Sequence, residues 1–230
     1  AEWLDASLAA ALRNGSDRNG ALRALARREG PGIYSLPLLT PDFCRKLAEE
    51  VAHFAASGRP SPRPNSMNEY GVVLEELGLG GAMAQLRREV LSPLAAALYG
   101  PGAEQQGAED VEAAAEAAGA RGCCDEHHAF TVRYAPAEQP GLDMHHDDSD
   151  VTLNVCLTAA QGLEGSGLSF CGLLGRPDHR RHRLTLRHEV GRAVVHLGAQ
   201  RHGAEDTLSG ERQNLIVWGR NQRHRGGRRR

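Results

Sequence analysis

Apolar side chains recur at helical spacing through the first hundred residues. At Thr40 several signals for a helix start coincide, because a hydroxyl N-cap is followed by proline at the first helical position and by an acid in the first turn. Apolar residues then return every three or four positions as far as Ser57, which predicts a helix with one buried face. Residues 1–30 predict two short helices separated at Asn14-Gly15-Ser16, and residues 81–98 predict a further amphipathic helix.

The hydrophobic period changes to two in the second half of the chain. Apolar and polar residues alternate at 130–134 and at 151–158, which predicts strands with one buried face. Shorter strands, separated by glycine-rich or polar turns, are predicted at 168–171, 184–190, 193–197 and 212–219. Several short strands after a helical third predict a mainly β fold with supporting α-helices, in the form of an antiparallel sandwich or barrel.

Composition divides the chain into four parts. With 230 residues, of which 40% are hydrophobic and 24% charged, the chain can bury a sizeable core, and fibrous or wholly disordered classes are excluded. Residues 101–122 contain almost no large apolar side chain, so we expect a mobile, low-complexity surface insertion. We therefore predict a helical support region at 1–100, this insertion, a β core at 123–220 and a disordered basic tail at 221–230.

Charge and cysteine content exclude several kinds of partner. A formal net charge of -2, from 27 basic and 29 acidic side chains, gives no overall attraction to nucleic acid or membranes. No apolar run approaches the roughly 18 residues that a membrane span needs, so we expect a soluble, cytoplasmic protein. Five cysteines, including the adjacent Cys123 and Cys124, show no CxxC spacing, which argues against a disulfide framework or structural zinc.

A histidine and aspartate cluster marks the candidate chemistry. His145-His146-Asp147-Asp148 lies just before the strand that is predicted from about residue 151. A His-x-Asp triplet at a sheet edge can direct one imidazole and one carboxylate to a common point, which supplies two ligands of a facial triad on ferrous iron. The doubled letters allow two registers, His145 with Asp147 or His146 with Asp148.

The third ligand should be a distant histidine on another strand. His196 and His202 are the candidates, because both lie about 50 to 60 positions beyond the triplet. Arg212 follows His202 by ten positions and opens the last predicted strand, where its guanidinium can hold a carboxylate through two parallel hydrogen bonds. The order of these residues is more specific than any one of them alone.

These residues lie in segments that resemble a known superfamily. The stretches FTVRYAPAEQPGLDMHHDDSDVTLNVCL and GRAVVHLGAQRHGAEDTLSGERQNLIVW, between Phe130 and Trp218, are similar to the catalytic domain of iron(II)- and 2-oxoglutarate-dependent dioxygenases. Within that superfamily the likeness is greatest to the procollagen lysyl hydroxylase branch and to the oxygenase domain-containing group. The upstream segments YSLPLLTPDFC and RPNSMNEYGVVLEELGL resemble the same group, so the likeness covers most of the chain.

The resemblance implies a fold and a set of site residues. The fold is a double-stranded β-helix, a jelly-roll barrel of two four-stranded antiparallel sheets with the metal at its open end. The implied metal ligands are His145, Asp147 and His202, with Arg212 as the residue that binds the distal carboxylate of 2-oxoglutarate. The alignment of DSDVTLNV favours this register over the other, and His196 becomes a core or supporting histidine.

Three further positions are singled out on the same basis. Tyr134 matches a position that lines the co-substrate pocket. Asn154 or Thr152, on the polar face of the strand beside the triplet, can hydrogen-bond the ligands or the co-substrate. Gly165-Ser166-Gly167 stands where the superfamily usually has two adjacent glycines, a departure that leaves the ligands intact but can narrow the approach of the backbone.

The resemblance also implies a function. It is that of an enzyme that hydroxylates an organic substrate with Fe(II), 2-oxoglutarate and O2, releasing succinate and CO2, with ascorbate keeping the iron reduced. Kinship with lysyl hydroxylases favours a protein side chain such as lysine or proline as substrate. One alternative is a non-catalytic, metal-binding jelly-roll interaction module, against which Arg212 argues because a structural metal needs no co-substrate clamp. Another is a zinc hydrolase, for which the sequence offers no HExxH motif or general base.

Overall fold

The computed structural model of the protein describes residues 2–100, 103 and 124–227. The predicted insertion at 101–122 lies outside this range except for Ala103, as do Cys123 and residues 228–230. The helices are α1 (Ala6–Leu12), α2 (Arg18–Leu25), α3 (Pro41–Ala56), α4 (Gly80–Leu86), a π-helical turn (Arg87–Leu91), α5 (Ser92–Tyr99) and α6 (Gln222–Gly227). The strands are β1 (Arg27–Gly30), β2 (Ile33–Pro37), β3 (Glu126–Tyr134), β4 (Leu142–His145), β5 (Val151–Ala159), β6 (Glu164–Gly165), β7 (Leu168–Leu173), β8 (Leu184–Leu186), β9 (Arg192–Leu197), β10 (Gln200–Ala204), β11 (Thr207–Ser209) and β12 (Arg212–Arg220).

The predicted helix after Thr40 is confirmed as α3. The Thr40 hydroxyl accepts a hydrogen bond from the Phe43 backbone N–H, and Pro41 occupies the first turn. The helix predicted at 81–98 forms as α4, the π-helical turn and α5 in succession. Pro93 lacks the N–H that would continue the α-helical ladder, so the turn before it widens.

All the strands pair antiparallel, in two sheets that face each other. The large sheet has the order β1-β2-β9-β5-β12-β3 and the small sheet β4-β10-β7-β8, with a short β11-β6 ribbon beside them. This confirms a mainly β architecture supported by helices. The large sheet has six strands instead of four, because β1 and β2 add an N-terminal hairpin to the edge at β9.

Two apolar layers cover the two faces of the large sheet. Alternate residues of β5, such as Leu153 and Val155, pack with α1–α5 in the main core. The intervening polar residues, Thr152 and Asn154, point between the two sheets and line the same cavity there. The space between the sheets is also lined by apolar side chains around Phe130 and Trp218. The helices therefore support the barrel from outside and leave its interior partly polar.

The C-terminal segment differs from its prediction. Residues 221–227, expected to be disordered, form α6 against the loop that follows β4. Arg225 makes ion pairs of 2.7 Å with Asp148 and 3.0 Å with Asp150, and the Gln222 N–H donates to the Asp125 carboxylate. Composition alone could not reveal that these carboxylates lie together in space.

The strand predicted at 184–190 is shorter than expected and ends at Leu186.

No helix of the described chain combines the length and the apolar character that crossing a bilayer would require.

Candidate active site

The two paired strands β4 and β10 bring the predicted metal ligands together. His145 ends β4 and lies directly opposite His202 of β10 in the strand register. Asp147 follows two residues later, where its backbone N–H donates to the Gly198 carbonyl and fixes the loop. The ligand atoms of these three side chains all lie within 4.8 Å of one another. The structure thus converges two imidazoles and one carboxylate at one end of the barrel.

Main-chain carbonyls orient both imidazoles. The Nδ1 of His145 lies 2.7 Å from the Asp143 carbonyl, and the Nδ1 of His202 lies 2.9 Å from the Gln200 carbonyl. Because a carbonyl only accepts, each Nδ1 carries the proton and each Nε2 presents a lone pair. Those Nε2 atoms lie 3.6 and 3.5 Å from the Asp147 carboxylate. This donor set fits a divalent transition metal.

The electrostatics hold the ligands in the protonation states that a metal needs. Burial lowers the pKa of His202 to about 3 against the opposing pull of Asp147, so this imidazole is neutral. Burial tends to raise the pKa of Asp147, but His202, His145 and His196 together keep it well below its ordinary value. The Thr152 hydroxyl also donates to Asp147 Oδ2 over 2.6 Å. The site therefore presents one charged carboxylate and, at His202, a neutral imidazole.

The alternative register is not brought together in the same way. Asp148 turns outward to Arg220 and Arg225, and its side chain is 67% exposed. Among the described residues, the cluster at ligand distance contains His145, Asp147 and His202, and it does not include His146.

His196, the other candidate for the third ligand, is fully buried beside the cluster. Its ring centre lies 4.4 Å from that of His202, and its Nε2 lies 3.9 Å from Asp147 Oδ2. The position of His196 fits the supporting role that the sequence predicted for it.

A cavity runs from the metal ligands into the space between the two sheets. Tyr134, Asn154 and Arg212 line it together with the three ligands. Asn154 accepts a hydrogen bond from Asn214, and Asn68 donates to the Tyr134 hydroxyl over 3.1 Å. All the sequence-predicted site residues therefore face one cavity.

Arg212 is the buried cation of this cavity. Only 1% of its surface is exposed, its Nε donates to the Ser166 hydroxyl over 2.8 Å, and its guanidinium lies 4.7 Å from the centre of the Tyr134 ring. Its Nη2 has no hydrogen-bond partner among the described residues. Because an unpaired buried cation is costly, this donor is suited to an anionic ligand such as a carboxylate.

Sequence reasoning did not assign a role to Ser166 or Asn68. Ser166 was noted only as a departure from a glycine pair, and Asn68 lies on a loop far from the other site residues in sequence. The one available signal was a serine where the family pattern has glycine.

A solved structure with a similar fold identifies the barrel. A prolyl-4-hydroxylase from Pseudomonas putida superposes with a TM-score of 0.51 at 18% identity, covering 88% of this chain and 98% of that one. The fold is the double-stranded β-helix, and it carries the His-Asp-His cluster. In sequence and in fold the chain is similar to iron(II)- and 2-oxoglutarate-dependent oxygenases.

Sequence comparisons give more specific similarities. Residues 1–103 match the family model of the OGFOD2-like domain. The human 2-oxoglutarate and iron-dependent oxygenase domain-containing protein 2 is 40% identical over 205 residues, covering 88% of this chain and 53% of the relative. Human procollagen-lysine,2-oxoglutarate 5-dioxygenase 1 is 27% identical over 148 residues, covering 61% of this chain and 18% of the relative. The chain spans about half the length of the first relatives it matches, at 53% and 54%.

Proposed function

We propose that this chain is an iron(II)- and 2-oxoglutarate-dependent dioxygenase that hydroxylates an organic substrate. The observation that carries the proposal is the pairing of two sites in one cavity. The three metal ligands lie together in it, and it is also lined by the buried Arg212, whose Nη2 has no hydrogen-bond partner among the described residues.

Each group has a role that follows from its surroundings. His145, Asp147 and His202 would hold Fe(II), because their lone pairs and charge already face one another. Arg212 would bind the distal carboxylate of 2-oxoglutarate through its free donor. When bound, iron and 2-oxoglutarate supply the oxidising power from O2, with release of succinate and CO2.

The remaining work of the chain is placement and exclusion of water. Tyr134 packs against the face of the guanidinium and Asn154 lines the cavity, so both would contact or confine the co-substrate. Apolar walls beside these polar groups would limit the entry of water, and they are formed by Phe130, Val132, Leu142, Leu168, Ile216 and Trp218.

Arg212 also weighs against the alternative of a non-catalytic metal-binding module. A structural metal needs no co-substrate clamp, and structural zinc sites usually have four protein ligands, whereas this cluster has three. A buried guanidinium in the same cavity, with a donor that has no partner among the described residues, would then lower stability with no compensating interaction.

We extend the proposal to a protein side chain, such as lysine or proline, as the substrate. The support is the partial sequence likeness to a protein named as a procollagen-lysine dioxygenase. Ascorbate is the proposed reductant that keeps the iron ferrous.

We propose a cytoplasmic location for the protein. Cys44, Cys156 and Cys171 are buried free thiols, which suit a reducing compartment.

The proposal is tested by following the co-substrate. Under anaerobic conditions the protein should bind 2-oxoglutarate only when Fe(II) is present, and admission of O2 should release succinate. The Asp147→Ala and His202→Ala variants should lose both properties, whereas His146→Ala should keep them. Loss in His146→Ala with retention in His145→Ala would assign the ligands to the other register. Succinate release that none of these variants changes would refute the assigned site.

Hydroxylation of lysine-containing and proline-containing peptides, monitored by a mass increase of about 16 Da, tests the substrate class separately. Uncoupled succinate release without modification of any peptide would refute the protein-substrate proposal and leave the dioxygenase proposal standing.

A further inference from the structure

Ser166 has a backbone conformation that is unusual for its residue type. Its φ is +59°, and no other non-glycine residue among those described has a positive φ. The left-handed region is unfavourable for a residue with a Cβ, and glycine enters it at no such cost. Glycine flanks Ser166 on both sides in Gly165-Ser166-Gly167, so the surrounding turn is built from residues that tolerate such angles. A serine kept under these conditions indicates that its side chain has a use.

The hydroxyl of Ser166 makes two buried hydrogen bonds. It is almost fully buried, with 1% of the residue exposed, and it accepts hydrogen bonds from Arg212 Nε at 2.8 Å and from Thr207 Oγ1 at 2.9 Å. The backbone N–H of Ser166 donates to the Asp206 carbonyl at 2.9 Å. A glycine at this position would keep the backbone bond, but it would leave Arg212 Nε without its partner.

These contacts define the orientation of the guanidinium. Ser166 holds the Nε edge, and Tyr134 lies against the face at 4.7 Å from its ring centre. The Nη2 atom is then the buried donor that has no partner in the described chain. A planar group held at one edge and on one face has little freedom to rotate, so the Nη2 donor keeps a fixed direction.

We propose that Ser166 is a positioning residue that aims Arg212 at the distal carboxylate of 2-oxoglutarate, and that the left-handed backbone is retained for this purpose. The inference rests on the proposed function, since it assigns the carboxylate as the anion that Arg212 binds. It goes beyond that function because it makes co-substrate affinity depend on a residue of the β6–β7 turn, outside the metal ligands and the arginine itself.

A Ser166→Gly variant separates this role from a structural one. Glycine relieves the backbone but leaves the buried Arg212 Nε unpaired, so the two effects oppose each other and the thermal midpoint of the metal-free protein should shift by only a few degrees. Because Nη2 is then no longer aimed at the carboxylate, its charge-assisted hydrogen bond to 2-oxoglutarate is weakened, which should raise the dissociation constant about 10- to 100-fold. Binding to the Mn(II)-loaded protein can be followed without turnover through the fluorescence of Trp218, which lines the cavity.

Two controls make the readout specific. Pyruvate carries the 2-oxo acid group but no distal carboxylate, so its binding should be unchanged in Ser166→Gly. Thr207→Val removes the other hydrogen bond to the same hydroxyl and leaves the Arg212 contact in place, so it should leave 2-oxoglutarate affinity nearly unchanged. Ser166→Ala keeps the backbone demand and removes the hydroxyl, and it should weaken 2-oxoglutarate binding to the same extent as glycine.

The outcomes distinguish this inference from the proposed function. If the wild-type protein with Mn(II) does not bind 2-oxoglutarate, the proposed function is refuted, and the inference that rests on it is refuted as well. If wild type binds and Ser166→Gly binds equally well, only the role of Ser166 is overturned. Equal weakening of pyruvate and 2-oxoglutarate, or failure of both Ser166 variants to fold, would show a structural role and would also overturn it.

Discussion

Main-chain groups orient the functional side chains at one end of the cavity, and other side chains orient them at the opposite end. At the metal end, the imidazoles of His145 and His202 are oriented by the carbonyls of Asp143 and Gln200. At the other end, Arg212 is oriented by side chains, with Ser166 at its edge and the Tyr134 ring on its face.

This difference has a consequence for how the two ends respond to mutation. Every residue has a carbonyl, so the orientation of the imidazoles survives changes in the side chains of Asp143 and Gln200. The orientation of Arg212 depends on the identity of its neighbours. We therefore expect metal binding to fail only when a ligand or its one side-chain support is removed, and co-substrate affinity to vary gradually with several residues.

The largest expected effect is removal of a metal ligand. Asp147→Ala or His202→Ala should weaken metal binding by more than about 100-fold, because loss of a ligand exceeds the 10- to 100-fold cost of losing a ligand's hydrogen-bond partner. Titration of the metal-free protein with Co(II), monitored by visible absorption, measures this directly.

Asp143→Ala is the matched control for the comparison, since its carbonyl remains available to His145. An Asp143→Ala variant with the same loss as Asp147→Ala would show that main-chain support is not what holds the metal end.

The next effect concerns a side chain that hydrogen-bonds a ligand at the metal end. Thr152 donates to Asp147 over 2.6 Å and lies 2.7 Å from the Ser149 hydroxyl. Thr152→Val keeps the shape and removes the donor, so we expect a 10- to 100-fold loss of metal affinity, measured by competition with a chelating dye.

Ser149→Ala provides the control because it acts one hydrogen bond further away, and its effect should be smaller. Equal effects would mean that the loop, and not the donor on Asp147, had been disturbed.

A smaller effect is expected at the face of Arg212. Tyr134→Leu removes the ring beneath the guanidinium, which should weaken 2-oxoglutarate binding about tenfold, within the range of a desolvated cation–π contact. Tyr134→Phe keeps the ring and loses only the hydrogen bond from Asn68, so about twofold is expected. Calorimetric titration of the Mn(II)-loaded variants would show the order. A larger loss in Phe than in Leu would assign the role to the hydroxyl instead of the ring.

The same contrast explains how much could be predicted from sequence. Spacing reduced the candidate metal ligands to two registers and two distal histidines, and the family resemblance favoured His145, Asp147 and His202 among them. The helix after Thr40 was found because its capping signals are local. Ser166 and Asn68 were assigned no role, since each reaches its partner through a contact that strand pairing creates and local propensity does not encode.

The C-terminal helix shows the opposite error. Residues 221–227 have the composition of a disordered tail, and composition was the only signal available. Their order comes from the carboxylates of Asp125, Asp148 and Asp150, which the barrel brings to one place. A charged segment is ordered by partners that are distant in sequence, and such partners are visible only in the folded chain.

The smallest expected effect is a dependence of stability on pH at the arginine end. His188 accepts a hydrogen bond at Nδ1 from the Asn214 amide over 3.2 Å, and burial, with Arg212 nearby, lowers its pKa well below its ordinary value. The folded state therefore keeps His188 neutral, while the unfolded chain takes up a proton near pH 6.5. The contribution of neutral His188 to the free energy of unfolding is fully present above that pH. It falls as the pH drops toward the lowered pKa of the folded state.

Between pH 7.5 and 5.5 this group should cost about 1 kcal/mol of unfolding free energy in the metal-free protein. His188→Gln can still accept from Asn214 and cannot be protonated, so it should remove that part of the dependence, as measured by urea midpoints at the two pH values. Because His188 lies outside the metal ligands, the difference between wild type and His188→Gln should persist when Mn(II) is present. If Mn(II) abolished that difference, the two ends of the cavity would be coupled, and they could not be supported as independently as their contacts indicate.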